Sequence, residues 1–176
     1  MSTLVIGFTG KARHGKDLAC ELIASIAPGA RRYAFSDGVA AYARALGLMT
    51  ARDPVILQRV GTEIRGRNLT AWIDVVRGAI ADHAAPVALV SGVRYANEAE
   101  MVRSMGGYII RVVRTEADGS PFLCGDRDPH HGSETAMDGI APDYTVDNVS
   151  GQLGAFRDAV LRTYRDIVNR HNEDGA

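Results

Sequence analysis

Lys16 closes the stretch of this chain that could do the most chemistry, Gly10-Lys11-Ala12-Arg13-His14-Gly15-Lys16-Asp17. Glycines at its two bends let the backbone turn so tightly that successive N–H groups point inward, where they can cradle phosphate oxygens. A lysine directly after the second glycine adds a point charge that reaches the β- and γ-phosphates of a nucleotide. Gly10, Lys11, Ala12, Arg13, His14, Gly15, Lys16, Asp17 and Leu18 are therefore the candidate set for a bound nucleotide's phosphates. The motif ordinarily ends in Ser or Thr, whose hydroxyl holds Mg²⁺, and Asp17 stands there instead. Two readings of Asp17 stay open. Its carboxylate can hold the ion, directly or through water, or its charge can simply favour the first turn of a helix. His14 is read either as a phosphate contact or as a solvent-facing loop residue. For the whole stretch, the plainer alternative is a Gly-rich turn that only starts a helix.

The flanks must position such a loop. Leu4-Val5-Ile6-Gly7-Phe8-Thr9 is apolar and β-branched, and it predicts a strand at about 3–8. Leu18, Leu22, Ile23 and Ile26 follow helical spacing and predict a helix at about 16–27, broken by Pro28-Gly29. The same alternation continues. A short strand is expected at 31–35, then a helix capped by Ser36-Asp37 and running to about 46. A second helix starts at Asp53-Pro54, and a third, capped by Thr70, carries Trp72, Ile73, Val76 and Ile80. Val87-Ala88-Leu89-Val90 reads as a buried strand, 97–105 as a helix, and 108–113 as a strand. Asp143 to Val146 is the last strand, 152–168 the last helix, and 169–176 a polar tail. Alternating strands and helices predict an α/β fold with a parallel sheet. Residues 115–131 are polar, rich in Gly, Asp and Pro and without periodicity, which predicts a flap over a site.

Composition narrows the function classes. At 176 residues, with 46% apolar and 23% charged residues, the chain has room for one full core and is expected to be one domain. A net charge of −1 gives no reason to expect a nucleic-acid polymer or a membrane surface as partner. Cys20 and Cys124 lie in no metal-ligand spacing and read as reduced structural thiols. No apolar run approaches a membrane span, and the N-terminus lacks the pattern of a signal peptide, so a cytoplasmic location is expected.

Four further segments sharpen the reading. They are Phe35-Ser36-Asp37; Leu57-Gln58-Arg59-Val60-Gly61-Thr62-Glu63 with Gly66-Arg67-Asn68 and Trp72; Val93-Arg94-Tyr95-Ala96-Asn97-Glu98; and His131-Gly132-Ser133-Glu134. Asp143-Tyr144-Thr145-Val146-Asp147-Asn148 closes the set. In order and spacing, with the Gly-Lys-Asp ending of the loop, they resemble the deoxynucleoside monophosphate kinases of bacteriophages. That family is a branch of the P-loop kinases, near in architecture to dephospho-coenzyme A kinase. The resemblance implies a P-loop NTPase fold with a five-stranded parallel sheet flanked by helices. It further implies a helical acceptor-binding region at about 37–83, ATP with Mg²⁺, a deoxynucleoside 5′-monophosphate as acceptor, and the host cytoplasm if the chain is viral. Oligomeric state stays open between monomer and homodimer.

Candidate roles follow. Arg94 comes after a buried strand, at the edge where open α/β sheets put their ligands, and can grip the acceptor phosphate bidentately. Arg114, after the fourth strand, and Arg127, in the flap, can reach the transferring phosphoryl group. Asp37 can meet Mg²⁺ or a sugar hydroxyl, and Glu63 can accept from the acceptor base or pair with an arginine. Trp72 is either a base-stacking ring or core. His131, Ser133 and Glu134 are acceptor-side candidates through the resemblance, as Asn148 is for the donor base. Two departures from the family stand out. Gly92-Val93-Arg94 replaces the family's Asp-Val-Arg, so an acid is missing there. Gly61-Thr62-Glu63-Ile64-Arg65-Gly66-Arg67 carries one extra residue, and Arg67 is the favoured match, with Arg65 the alternative. Two rivals remain: a kinase for another small acceptor such as dephospho-coenzyme A, and a nucleotide-binding regulator without transferase activity.

Overall fold

The computed structural model describes residues 3–125 and 131–174. Its centre is a five-stranded parallel sheet built from β1 (Leu4–Thr9), β2 (Arg31–Ala34), β3 (Val87–Val93), β4 (Tyr108–Thr115) and β5 (Tyr144–Val149). The strand order is β2-β3-β1-β4-β5, which puts β1 in the middle. Side-chain alternation along the strands divides the core between two faces. Leu4, Ile6 and Phe8 join Val87, Leu89, Val112 and Val146 on the face covered by α1 (Lys16–Ala24) and α7 (Leu153–Asp174). Val5 joins Ala88, Val90 and Ile109 on the other face. That face is covered by α2 (Phe35–Ala45), α4 (Ala71–His83) and α5 (Ala96–Ser104), with α3 (Pro54–Arg67) packed on α2 and α4. The architecture is that of P-loop NTPases, with the Gly-rich loop joining β1 to α1 at the carboxyl edge of the sheet.

Several boundaries differ from expectation for local reasons. Helix α2 starts at Phe35, so Ser36 and Asp37 lie in its first turn, and neither caps it. Thr70 stands at the N-cap of α4, but its hydroxyl hydrogen-bonds Asn68 Oδ1 and Asp74 Oδ2 and leaves the helix N–H groups alone. Asp53 does cap α3, accepting from the N–H groups of Val55 (2.8 Å) and Ile56 (3.2 Å), with Pro54 at the first position. Helix α7 runs through the expected polar tail to Asp174, where Arg170 donates to the Tyr144 hydroxyl at 3.0 Å and Asp174 accepts from the Tyr108 hydroxyl at 3.1 Å. Residues 115–122 fold back on the end of β4: Pro121 bridges Thr115, and Phe122 N–H donates to Arg114 O. Residues 126–130 of the expected flap, including Arg127, lie outside the described residues. A four-residue helix, α6 (Gly132–Thr135), and a 3₁₀ turn (Ala136–Gly139) lead into β5.

One irregularity in the sheet bears on the site. Ser91 pairs with Phe8 but Val93 pairs with Thr9, so Gly92 is an unpaired bulge residue. Its φ of +78° is one that side-chain-bearing residues rarely adopt. The extra residue brings Val93 onto the face of Ala88 and Val90 and sends the chain into Arg94 at the sheet edge.

Candidate functional site

The loop takes its shape from its first glycine. Gly10 has φ +133°, and a Cβ there would lie 2.3 Å from Val112 O, so only glycine lets the loop lie this close to β4. Lys16, buried at the start of α1, turns its ammonium back over the loop and donates to Gly10 O (2.7 Å) and Lys11 O (2.6 Å). Those carbonyls hold the charged nitrogen at the loop's centre, where a phosphate would meet it.

A cavity of about 410 Å³ opens beside the loop, walled by the start of α1, the carboxyl end of β3 and the helices α2 and α3. Six of its lining residues are cationic: Arg13, Lys16, Arg32, Arg52, Arg65 and Arg94. Two are acidic, Asp17 and Glu98. Phe35 and Val39 of α2 with Pro54 and Leu57 of α3 supply an apolar wall. The volume is in the range of small-ligand sites.

Two buried carboxylates fix two of these arginines. Arg94 pairs with Glu134 through Nη1, which also donates to Ser133 O at 2.6 Å. The other Glu134 oxygen accepts the loop N–H of Ala12 at 3.1 Å. One carboxylate therefore spans a loop amide and the strand-end arginine, which defines a position for an anion between them. Arg65 pairs with Glu98 and lies with its guanidinium carbon 3.9 Å from the centre of the Tyr95 ring. Glu98 also accepts the N–H groups of Arg94 (2.7 Å) and Tyr95 (3.3 Å) at the start of α5. Burial pushes the Glu98 carboxyl up from its ordinary range, while Arg65 and the two N–H groups pull the other way.

At the rim, Asp37 accepts from Arg32 (3.0 Å) and Arg52 (3.1 Å), and Arg52 also donates to Ser36 Oγ at 2.6 Å. Arg32 reaches Asp17 Oδ1 at 3.3 Å. Ser91 Oγ donates to the same oxygen at 2.6 Å. A magnesium ion takes one or two protein oxygens and draws its remaining ligands from phosphate and water. The Asp17 carboxylate and Ser91 hydroxyl, both on the cavity, fit that demand. Among the described residues no cluster of three His, Cys, Asp or Glu side chains could hold a metal without a ligand's help.

His131 and Ser133 line the cavity as expected of acceptor-side candidates, whereas several other expected site residues lie elsewhere. Arg67, the favoured match in α3, pairs with Glu63 one turn away on the solvent side of the helix, and neither lines the cavity. Arg65 does, because it shares a helix face with Gln58, Gly61 and Thr62. Trp72 is core: it is buried against Tyr42, and its indole N–H donates to Gly61 O at 3.2 Å, with one edge on the cavity. His14 is neither solvent-facing nor on the cavity. It is buried under the loop, with Nδ1 3.3 Å from Val112 O and 3.1 Å from the Arg114 N–H. Burial, with help from Lys16 and Lys11, holds its pKa below the ordinary histidine value. Arg114 packs over Phe122 and donates to Arg13 O at 3.2 Å, outside the cavity. Asn148 donates to His14 O at 2.9 Å and so props the loop from β5. Leu18 packs its side chain on the core under α1. His131 caps α6 through Ser133 N–H (3.1 Å) and reaches Thr62 of α3 at 3.4 Å.

Sequence reasoning missed Arg32, Arg52, Gln58, Ser91, Tyr95 and Glu98 on the cavity. Gln58, Tyr95 and Glu98 belong to the segments that carry the resemblance, and the Arg94-to-Glu98 spacing is that of a carboxylate folding back on a helix start. Gln58 Nε2 is buried without a hydrogen-bond partner. Arg32 and Arg52 had no local signal, since only the fold joins them at Asp37. Cys20 is a buried thiol, and no described helix is long and apolar enough to cross a membrane.

No protein-family model matches the chain. An uncharacterized protein, ORF77 of Ictalurid herpesvirus 1 (strain Auburn), is 28% identical over 165 residues, covering 88% of this chain and 68% of that protein. Among solved structures, TT1252 from Thermus thermophilus superposes with a TM-score of 0.54 at 16% identity, over 94% of this chain and 98% of that one. That likeness is one of fold.

Proposed function

We propose that the protein is a kinase that transfers the γ-phosphoryl group of ATP to a deoxynucleoside 5′-monophosphate, with Mg²⁺. The observation that carries this reading is the cavity's charge: six cationic and two acidic lining residues in a chain of net charge −1. A surplus of cations beside a phosphate loop suits two polyanions meeting end to end. Lys16 and the loop amides would take the donor phosphates. Arg94, on the far side of the position now spanned by Glu134, would take the acceptor phosphate. Arg65 and Arg52 add positive charge to a cavity whose apolar wall from α2 and α3 would suit a base.

The acceptor needs no general base, because a phosphate monoester has a second pKa of about 6 and is already largely dianionic at neutral pH. Asp37 would have to serve as that base for a hydroxyl acceptor. It is instead engaged by two guanidinium groups, which favours the monophosphate over dephospho-coenzyme A. Preference for deoxyribose and a cytoplasmic location rest on the sequence reading.

The test is ADP release from ATP and Mg²⁺ with each of the four common deoxynucleoside monophosphates, AMP and dephospho-coenzyme A, beside a Lys16→Ala control. Release with one or more deoxynucleotides, lost in the control, is expected. Release only with dephospho-coenzyme A would assign the other acceptor class. Lys16-dependent ATP binding with no release for any acceptor would make the chain a nucleotide-binding regulator.

A further inference from the structure

Asp17 and Ser91 raise a question that the phosphate loop's ordinary chemistry does not answer. In P-loop proteins a hydroxyl directly follows the loop lysine, and an acid comes from a neighbouring strand; together they hold Mg²⁺. This chain has a carboxylate after the lysine, at Asp17. The acid expected from β3 is replaced at Gly92, whose φ of +78° and bulged pairing make it a poor place for any side chain. One residue earlier, β3 offers a hydroxyl, and that hydroxyl donates to the loop carboxylate at 2.6 Å.

We propose that Asp17 and Ser91 are the protein's side of the magnesium site with their usual roles exchanged: the carboxylate comes from the loop and the hydroxyl from the strand. The inference rests on the kinase reading above. Three observations support it. Ser91 is on β3, the strand hydrogen-bonded to β1, which puts its hydroxyl beside the loop from the side an acid would ordinarily occupy. Both side chains line the cavity that holds Lys16. A cation already sits on the same carboxylate oxygen: Arg32 Nη1 lies 3.3 Å from Asp17 Oδ1, while its Nη2 holds Asp37 at 3.0 Å. Arg32 can give up Asp17 to an arriving ion and stay anchored on Asp37. The missing acid at Gly92 is then a relocation, and the chain keeps one carboxylate and one hydroxyl for the ion.

The test measures ATP affinity of the full chain by titration calorimetry, with Mg²⁺ and with Mg²⁺ removed by chelation. The proteins compared are wild type, Asp17→Asn, Ser91→Ala, Asp17→Ser and the double exchange Asp17→Ser with Ser91→Asp, each checked for an unchanged circular dichroism spectrum. Wild type is expected to bind ATP more tightly with Mg²⁺. Asp17→Asn and Asp17→Ser should lose that gain and keep metal-free binding, Ser91→Ala should lose part of it, and the double exchange should recover it. A full magnesium gain in Asp17→Asn would overturn the proposal while leaving the kinase reading intact. So would a double exchange no better than Asp17→Ser alone. Wild type that binds ATP under neither condition would overturn the kinase reading and this proposal with it.

Discussion

Arg94 and Arg114 follow neighbours of the same central strand, one at the end of β3 and one at the end of β4, yet they serve opposite sides of the loop. Arg94 faces the cavity and shares Glu134 with the loop amide of Ala12. Arg114 lies behind the loop, where it packs on Phe122 and, with Asn148 and His14, braces the loop's backbone. Being an arginine at the carboxyl edge of a parallel sheet is therefore not enough to put its side chain on the cavity. What separates the two is the layer covering each strand. The helices α2 and α3 stand off from the end of β3 and leave a cavity, whereas the fold-back after β4 fills the space beside Arg114.

Removing Arg94 is the strongest way to break this contrast. Arg94→Ala should lower kcat/KM for the monophosphate by about 10²-fold or more, because it removes charge-assisted hydrogen bonds to the acceptor phosphate worth about 1.5–3 kcal/mol each. ATP affinity should change little. Arg114→Ala should do the reverse, weakening ATP binding with a smaller loss in turnover, because it loosens the loop and leaves the acceptor side alone. Steady-state kinetics with each substrate varied separate the two; equal losses for both variants would erase the distinction.

The next contrast lies within α3. Arg65→Ala leaves the Glu98 carboxylate buried without its partner, a change that typically costs about 3–5 kcal/mol. Arg67→Ala removes only an exposed pair with Glu63, worth about 0.5 kcal/mol or less. Urea denaturation should therefore report a large loss for Arg65→Ala and almost none for Arg67→Ala, and monophosphate turnover should follow the same order.

The smallest effect belongs to the bracing side. His14 has a folded pKa below its ordinary 6.5, so the unfolded chain binds more protons there. Its contribution to stability is complete above about pH 6.5 and is lost as pH falls through that value toward the lower folded one. The melting temperature should drop between pH 7.5 and pH 5.5, and a His14→Gln variant should drop less over the same interval. Parallel curves for the two proteins would assign the titration to other groups.

The fold was legible in the sequence because its signals are local. Apolar β-branched runs became β1 and β3, Asp53-Pro54 opened α3, and the Gly-rich loop sat between strand and helix. The cavity was legible only in part. Lys16 and Arg94 follow from their places at the ends of elements. Choosing Arg65 over Arg67 needed the phase of α3 against α2, which one inserted residue obscured. Trp72, Arg32 and Arg52 depend on contacts between segments far apart in the chain, Trp72 with Gly61 and the arginines with Asp37. The bulge at Gly92 looked like a missing acid, and only the strand register reveals why a glycine is there.

The most direct test of the central claim is to watch the phosphorus atoms. ³¹P nuclear magnetic resonance of ATP, Mg²⁺ and an equimolar deoxynucleoside monophosphate with the protein should show the monophosphate and ATP signals fall together as those of ADP and the deoxynucleoside diphosphate rise in equal amounts, and no change with Lys16→Ala. ADP appearing with inorganic phosphate, or a spectrum unchanged for every deoxynucleotide, would contradict the account.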